Sequence, residues 1–291
     1  MLKKALVTLV VGELYRDRFF KLCLKNWQQY ADKQGYDLVI IDTPIDLSER
    51  ATKRPINWQK ALILSHPQVK DYDRAVWIDS DILINPHSPC IVEGVPEDKI
   101  GAVDQFAEPL TERFPENNQQ LMDRAVEFWQ WSFQDAKSLY RQGGLPDTFD
   151  RVVQTGVMVF SPPYHRELLE NYYHHYEADV GVHVELESLS YELLKADCIH
   201  WIDYRFNRLW IECMLRDYPF LLPPAGVEPR LVRAWKRLTR GSALMPPQKI
   251  TEACLNTAFI NNYFLHFAGT AGYMSWVDTQ ISSWKQLRSV L

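Results

Sequence analysis

The sequence has no apolar run long enough to span a membrane. Residues 1–11 carry two lysines followed by an apolar stretch, which is how a signal peptide begins. The stretch is short, however, Glu13, Arg16 and Asp17 follow it directly, and no small-residue cleavage site is present. The segment therefore predicts a first β-strand, and we expect a cytoplasmic protein that is at most peripheral to the inner face of a membrane.

The chain also lacks paired or clustered cysteines. Its five cysteines are an odd number, lie far apart and never form a Cys-x-x-Cys motif. This usage argues against a disulfide framework or a zinc site, so we expect reduced cysteines in the core. The five are Cys23, Cys90, Cys198, Cys213 and Cys254.

Positive charge is not in excess either, because the 291 residues carry a formal net charge of −5. A general nucleic-acid binder needs a basic surface to displace counterions from phosphates, so we expect no nucleic-acid partner. With 46% hydrophobic and 24% charged residues, the composition is typical of a soluble globular protein. The length suits one large α/β domain.

Residues 74–84 read Arg-Ala-Val-Trp-Ile-Asp-Ser-Asp-Ile-Leu-Ile and place two aspartates inside an apolar run. Apolar residues without polar alternation predict a buried, parallel strand that ends in the acidic pair. Open α/β sheets bind their ligands at that end of a strand. Asp79 and Asp81 are thus candidate ligands for Mn²⁺ or Mg²⁺, an ion that neutralises a diphosphate leaving group. For the pair alone, a solvated loop is an equally good interpretation.

The order of the predicted elements indicates an α/β fold whose first part, residues 1–104, binds a nucleotide. Strands over residues 5–11 and 37–42 flank a helix, in the pattern of a βαβ unit. A helix over residues 58–64 follows and precedes the acidic strand. The apolar stripe of the first helix comprises Phe19, Phe20, Cys23, Leu24 and Trp27.

Residues 105–291 are predicted to form the acceptor-side half of the same domain, 1–291. A long helix over residues 117–140 carries four aromatic residues, which suit core packing better than a platform for a sugar. A strand over residues 152–160 contains Gly156, and a glycine inside a strand often marks a close approach of the backbone to a ligand. The four aromatic residues are Phe128, Trp129, Trp131 and Phe133.

The segment from residue 228 to residue 249 is unusually basic. Four arginines recur at helical spacing, with Lys236 beside them, and apolar residues take another face. A solvated helix face is the plain interpretation, and a flap that contacts an anionic acceptor or a membrane surface is the functional alternative. The arginines are Arg230, Arg233, Arg237 and Arg240.

Four stretches, in this order, resemble the glycogenin-like and bacterial galactosyltransferase-like glycosyltransferases of the GT-A fold. Ala5-Leu6-Val7-Thr8-Leu9 with Tyr15 is similar to the family's first strand and uridine loop, and Trp77-Ile78-Asp79-Ser80-Asp81 to its metal motif. Thr155-Gly156-Val157-Met158-Val159-Phe160 is similar to its Asn-Ser/Thr-Gly-Val-Met strand, and His266-Phe267-Ala268-Gly269 to its His-Phe-x-Gly motif. The resemblance implies a single-domain GT-A (Rossmann-like) α/β fold with a mixed, mainly parallel sheet flanked by helices.

The resemblance also implies a sugar-nucleotide donor and a bound Mn²⁺ or Mg²⁺. The metal ligands would be Asp79, Asp81 and His266, a set of two hard carboxylates and an imidazole that leaves positions for diphosphate oxygens. Two catalytic candidates follow from the same comparison. Asp104 would line the sugar pocket, and Glu187 falls near the family's Asp-Gln pair.

Further residues are assigned to the donor by this resemblance. The first strand and the loop after it would hold the base, Lys60 would lie near the ribose or phosphates, and Gly156 would line the sugar pocket. Arg205-Phe206-Asn207 falls where the family has Tyr-Asn or Phe-Asn. The donor-binding set is Leu9, Val11, Tyr15, Lys60, Asp79, Ser80, Gly156 and Gly269.

Three positions depart from the family's pattern. Gln154 stands where an asparagine is usual, and Ser188 replaces the glutamine of the Asp-Gln pair. Gly272-Tyr273-Met274 stands where Lys-Pro-Trp is expected. The family's lysine clamps the diphosphate, so the resemblance does not tell how this chain binds phosphate.

The sequence thus predicts a hexosyltransferase with a nucleoside-diphosphate sugar as donor, UDP-linked, and a carbohydrate or glycolipid acceptor. Retention of the anomeric configuration is implied by the resemblance, since no carboxylate stands out as the base for inversion. A haloacid-dehalogenase-type phosphatase, with Asp79 as nucleophile, is one alternative, but two strands precede the motif here. A catalytically inactive carbohydrate-binding protein on the same fold is the other, favoured by the missing Lys-Pro-Trp.

Overall fold

The computed structural model describes residues 2–107, 135–176, 185–221 and 248–281. The strands in these residues form a central sheet of six and a smaller sheet of three. They are β1 Lys4–Leu9, β2 Asp37–Ile41, β3 Arg74–Ile78, β4 Ile82–Ile84, β5 Ile100–Asp104, β6 Val153–Phe160, β7 Ile199–Trp201, β8 Arg208–Leu209 and β9 Phe264–His266.

Helical segments connect these strands. The α-helices are Glu13–Arg18, Leu24–Gln34, Glu49–Thr52, Ala136–Gln142, Pro162–His175, Leu186–Lys195, Trp210–Arg216 and Gln248–Asn261. A π-helical turn, Phe19–Cys23, joins the first two. The 3₁₀ helices are Ile56–Ser65, Tyr204–Asn207, Pro219–Leu221 and Ala271–Trp276. No helix within the described ranges has the length and apolar character needed to cross a membrane.

The central sheet has the strand order β2-β1-β3-β6-β5-β7. β6 runs antiparallel to β3 and β5, and the remaining pairs are parallel. Successive residues of β1 face opposite sides: Leu6 belongs to one buried cluster with Trp27, and Val7 to another with Trp58. Because both faces of the sheet are covered by helical segments, the predicted class of a mixed, mainly parallel sheet flanked by helices is confirmed.

The acidic pair directly follows a buried strand that runs parallel to β1, as predicted, but the apolar residues after the pair form a second strand. Residues 74–78 form β3 in the central sheet, whereas Ile82–Ile84 form β4 in the smaller sheet, whose order is β4-β9-β8. Both apolar halves are fully buried, but they pack in different sheets. The apolar pattern therefore predicted burial correctly, and it could not show where the chain leaves one sheet for the next.

The first helix also differs from its predicted form. The π-helical turn changes the helical phase, so Phe19, Cys23 and Trp27 are buried while Phe20 is 44% exposed. Phe20 was predicted on the buried stripe, and that prediction is wrong. The segment predicted as a helix over residues 58–64 is a 3₁₀ helix, Ile56–Ser65.

In the second half, residues 117–134 of the helix predicted over residues 117–140 lie outside the described residues. Asp135 is extended, and its side chain accepts a hydrogen bond from Ser138 N at 2.9 Å at the start of the helix Ala136–Gln142, so the predicted helix does not run through Asp135. The four aromatic residues predicted between Phe128 and Phe133 lie outside the described residues, as do the arginines from Arg230 to Arg240.

All five cysteines are free, as predicted. Cys23, Cys213 and Cys254 are buried, and Cys90 and Cys198 are half-buried.

Candidate active site

Three side chains that are distant in the sequence meet at the end of β3. Asp79 and Asp81 lie in the link between β3 and β4, and His266 ends β9, which pairs with β4. His266 Nε2 lies 3.3 Å from Asp81 Oδ1 and 3.8 Å from Asp79 Oδ2. One candidate ligand atom from each residue lies within 4.8 Å of the others. The three predicted metal ligands therefore form one cluster.

Backbone hydrogen bonds to neighbouring strands hold the link in place. Asp79 N donates to Gly156 O at 2.8 Å, and Phe267 N donates to Asp81 O at 2.9 Å. Each carboxylate is thus positioned by a different sheet, so the ligand set depends on the way the two sheets meet.

The donor set fits a divalent ion such as Mn²⁺ or Mg²⁺. Adjacent ligands of an octahedral ion at about 2.1 Å lie about 3.0 Å apart, close to the separations between His266 and the two carboxylates. The second oxygen of Asp79 is already used, since Oδ1 accepts from Trp77 Nε1 at 2.9 Å and from Lys60 Nζ at 3.2 Å. Oδ2 therefore remains to face the cluster.

Hydrogen bonds determine which imidazole nitrogen of His266 faces the carboxylates. Gly156 N, which can only donate, donates to Gln154 Oε1 at 2.6 Å, and Asn207 Nδ2 donates to the same oxygen at 2.5 Å. The amide oxygen of Asn207 must then accept, and it lies 2.8 Å from His266 Nδ1. This network assigns a proton to Nδ1, so Nε2 is the nitrogen that faces the carboxylates. A metal ion would bind Nε2 in place of the proton that the carboxylates favour there, since burial tends to lower the pKa of His266 but the carboxylates raise it overall.

Gly156 is required where the imidazole crosses β6. A Cβ on this residue would lie 2.5 Å from His266 Cε1 and 2.8 Å from Nδ1, distances that a real side chain does not tolerate. The strand glycine therefore marks a close approach, as predicted, although the group that approaches is a side chain of the cluster.

Burial and neighbouring charge act differently on the two aspartates. Burial raises the pKa of Asp79, against the opposing attraction of Lys60 and His266. Burial also tends to raise the pKa of Asp81, but attraction and hydrogen bonding to His266 outweigh it, so the net direction is down. Arg18 adds a smaller attractive contribution at Asp81.

Lys60 connects the cluster to a residue that sequence reasoning missed. Its ammonium lies 2.6 Å from Glu185 Oε1 and 3.2 Å from Asp79 Oδ1, and Thr155 Oγ1 donates to the same Glu185 oxygen at 3.1 Å. Burial tends to lower the pKa of Lys60, but the two carboxylates raise it overall, so it remains a cation. Glu185, which directly precedes the helix Leu186–Lys195, stands in no motif that would have singled it out.

The candidate Glu187 is fully buried, with its side chain beside Gly143. Asp104 pairs with Arg151 Nε at 2.7 Å and lines a cavity together with Gln154 and Asn207, the residues that orient His266. Their catalytic roles remain predictions.

The same cavity has a second acid that the sequence did not single out. Glu212 accepts from Gln105 Nε2 at 3.1 Å and pairs with Arg208 Nη1 at 3.2 Å. Burial raises its pKa to about 7, in spite of the attraction to Arg208.

The residues predicted to hold the base lie at the end of β1 and after it. Leu9 and Val11 are half-buried, and Tyr15 is 52% exposed on the helix Glu13–Arg18. Ser80 O accepts a hydrogen bond from Cys23 Sγ at 3.4 Å, and Gly269 adopts a φ of 65° in the turn after β9. The donor-binding role of these residues stays a prediction.

No protein-family model and no curated protein matches this sequence. Solved structures of glycosyltransferases do match, and the chain shares their GT-A-like fold. The galactosyltransferase LgtC in complex with donor and acceptor sugar analogs matches at 12% identity and a TM-score of 0.50, over 99% of this chain and 100% of that one. The apo structure of the bifunctional glycosyltransferase WbbM matches at 12% identity and a TM-score of 0.50, over 92% of this chain and 46% of that one.

Proposed function

We propose that this protein is a metal-dependent glycosyltransferase that moves a hexose from a UDP-linked sugar to a hydroxyl group of a carbohydrate or glycolipid acceptor. The observation that carries the proposal is the cluster of Asp79, Asp81 and His266, with the imidazole held in the metal-binding tautomer by Asn207. The cluster lies at the end of β3, where folds of this kind bind their ligands. The GT-A-like fold supports the same function.

The three residues of the cluster would hold Mn²⁺ or Mg²⁺, which would neutralise charge on the departing diphosphate. Asp79 offers Oδ2 because Lys60 and Trp77 hold its other oxygen. His266 offers Nε2 because Asn207 holds Nδ1. The ligand atoms are thus oriented by contacts that the chain makes before any ion binds.

The other predicted residues have places consistent with a donor and an acceptor. Tyr15 is exposed and can stack on a uracil ring. Asp104 lines a cavity beside the metal cluster, where its carboxylate can accept hydrogen bonds from sugar hydroxyls. We propose retention because neither acid that lines this cavity is free to act as a base. Gln105 and Arg208 engage the two oxygens of Glu212, and Arg151 and the N–H of Phe106 engage those of Asp104.

Donor hydrolysis and transfer test the function directly. A panel of sugar nucleotides is screened by thermal shift with and without Mn²⁺, since a ligand that binds only the folded state raises the melting temperature. The donor that binds is then assayed for release of its nucleoside diphosphate, and we expect chelator to abolish release and Mn²⁺ to restore it.

The matched variants are Asp81→Asn and Asp71→Asn, which remove one carboxylate charge each. Asp81→Asn should lose turnover and remain folded, whereas Asp71→Asn, at an exposed turn, should keep it. Full turnover in excess chelator would contradict the metal role. Metal-dependent binding without any turnover would instead favour the inactive carbohydrate-binding protein.

A further inference from the structure

The charges at the candidate site do not balance once a nucleoside diphosphate is bound. Asp79, Asp81 and Glu185 contribute three carboxylates, and Lys60 contributes one ammonium group in contact with two of them. A divalent ion would neutralise the remaining negative charge of this set. The diphosphate of a donor brings further negative charge, and it needs a cation of its own.

Lys60 is poorly placed to supply that cation. Its ammonium group already contacts Asp79 and Glu185, and it also donates to Thr155 O at 3.4 Å. An ammonium group has three donors, so these contacts use its hydrogen-bonding capacity. The side chain is also almost completely buried, which restricts any reorientation toward a ligand.

Arg18 is the last residue of the helix Glu13–Arg18, which also carries Tyr15. The residues that follow this helix are hydrogen-bonded to the link between β3 and β4 and to β4 itself. Cys23 Sγ donates to Ser80 O at 3.4 Å, and Trp27 Nε1 donates to Ile82 O at 2.8 Å. The π-helical turn Phe19–Cys23, which directly follows Arg18, therefore contacts the link that carries Asp79 and Asp81.

The guanidinium carbon of Arg18 lies 5.9 Å from the ring centroid of Tyr15. The described part of the chain gives Arg18 no ion pair and no side-chain hydrogen bond, whereas Arg16 on the same helix pairs with Asp42 at 3.6 Å. Arg18 is half-exposed, so its donors can reach a bound ligand.

We propose that Arg18 is the cation that holds the diphosphate of the donor, a role that rests on the proposed function and adds a binding residue to its site. A nucleotide whose base lies on Tyr15 and whose phosphates reach Asp79 and Asp81 would pass this guanidinium group. The planar group can donate two parallel hydrogen bonds to phosphate oxygens. An arginine from the N-terminal helix would then serve where residues 270–276, directly after Gly269, supply no lysine.

Calorimetric titration in the presence of Mn²⁺ tests this role with UDP and inorganic pyrophosphate, and NMR titration tests it with uridine. The variants are Arg18→Ala, Arg18→Lys and the matched control Arg16→Ala. We expect Arg18→Ala to weaken UDP and pyrophosphate binding about tenfold or more, the range of charge-assisted hydrogen bonds. Arg18→Lys should recover part of the loss, and Arg16→Ala should bind as the wild type does.

Uridine separates a phosphate contact from a contact to the base. Arg18→Ala should leave uridine binding unchanged, because uridine has no phosphate. An equal loss for uridine and UDP would show that Arg18 acts through Tyr15, and unchanged UDP binding would show that it does not touch the ligand. Either result overturns the proposal.

The same titrations distinguish a failure of this role from a failure of the proposed function. Arg18-dependent binding of UDP without transfer from any donor would support the diphosphate role and contradict the glycosyltransferase activity. Wild-type protein that binds neither UDP nor pyrophosphate with Mn²⁺ would contradict both.

Discussion

Asn207 Oδ1 lies 2.8 Å from His266 Nδ1, and this contact determines which imidazole nitrogen faces Asp79 and Asp81. Asn207 can play this part because its amide nitrogen is committed to Gln154 Oε1, which the backbone N–H of Gly156 also holds. The orientation of a single candidate ligand therefore depends on a chain of hydrogen bonds that begins in the backbone of β6.

We predict that Asn207→Ala lowers the affinity for Mn²⁺ about 10- to 100-fold, the usual effect of losing a hydrogen bond that orients a metal-ligating histidine. Calorimetric titration with Mn²⁺ measures this affinity. The control is Asn256→Ala, at a buried asparagine whose amide bonds to Glu252 O and Asp278 N. Equal Mn²⁺ affinity in wild type and Asn207→Ala would remove Asn207 from the site.

A second prediction concerns the space above Gly156. Gly156→Ala would place a methyl group 2.5 Å from His266 Cε1, so the imidazole must move away from the carboxylates. We expect a loss of stability of about 1–3 kcal/mol, typical of overpacking, together with weaker Mn²⁺ binding. Thermal unfolding and metal titration measure the two effects.

The matched control is Gly272→Ala, because a Cβ at Gly272 meets nothing within 4 Å. That variant should unfold and bind metal as the wild type does. If Gly156→Ala behaves like Gly272→Ala, the close contact between β6 and His266 is not needed for metal binding.

A third prediction tests the base-binding role of Tyr15. Tyr15→Ala should weaken UDP binding by about 1 kcal/mol or more, the scale of an aromatic contact. Tyr164→Ala removes an equally exposed tyrosine from the helix Pro162–His175 and should leave the affinity unchanged. Identical UDP affinities for both variants in calorimetry would exclude Tyr15 from the site.

The sequence predicted those features of the site that depend on local pattern. Asp79 and Asp81 were recognisable because two charges inside an apolar run need partners, and the glycine inside β6 pointed to a close approach. His266 alone had no such signal, since a buried histidine is common in protein cores, and it was identified by resemblance. Its place in the cluster comes from the pairing of β9 with β4.

Glu185 and Glu212 could not be predicted in the same way. Glu185 becomes part of the site through its contact with Lys60, a residue far away in the sequence, and Glu212 does so by lining the cavity of Asp104. Such contacts depend on how helices pack on the sheet, and neither residue stands in a distinctive local pattern. The break in the acidic segment was missed for a related reason, because burial in two different sheets produces the same apolar run.

The last prediction is a pH dependence of stability that originates at Glu212. Burial raises the pKa of this group from 4.5 to about 7 in the folded protein, so the folded state keeps a proton that the unfolded chain releases. Stability must therefore fall as the pH rises from about 4.5 to about 7, and become constant above that range. The difference between the two pKa values corresponds to at most about 3 kcal/mol.

Glu212→Gln should remove this loss, because glutamine is neutral at every pH. Urea unfolding should show that the stability of the variant relative to the wild type increases from pH 5 to pH 8. Asp46→Asn is the contrasting control: slight burial tends to raise the pKa of Asp46, but hydrogen bonds from Ser48 lower it overall, so it is ionised in both states across this window. The difference in unfolding free energy between Asp46→Asn and the wild type should stay constant from pH 5 to pH 8. If the difference in unfolding free energy between Glu212→Gln and the wild type were also constant from pH 5 to pH 8, the pKa of Glu212 would not be raised in the folded protein.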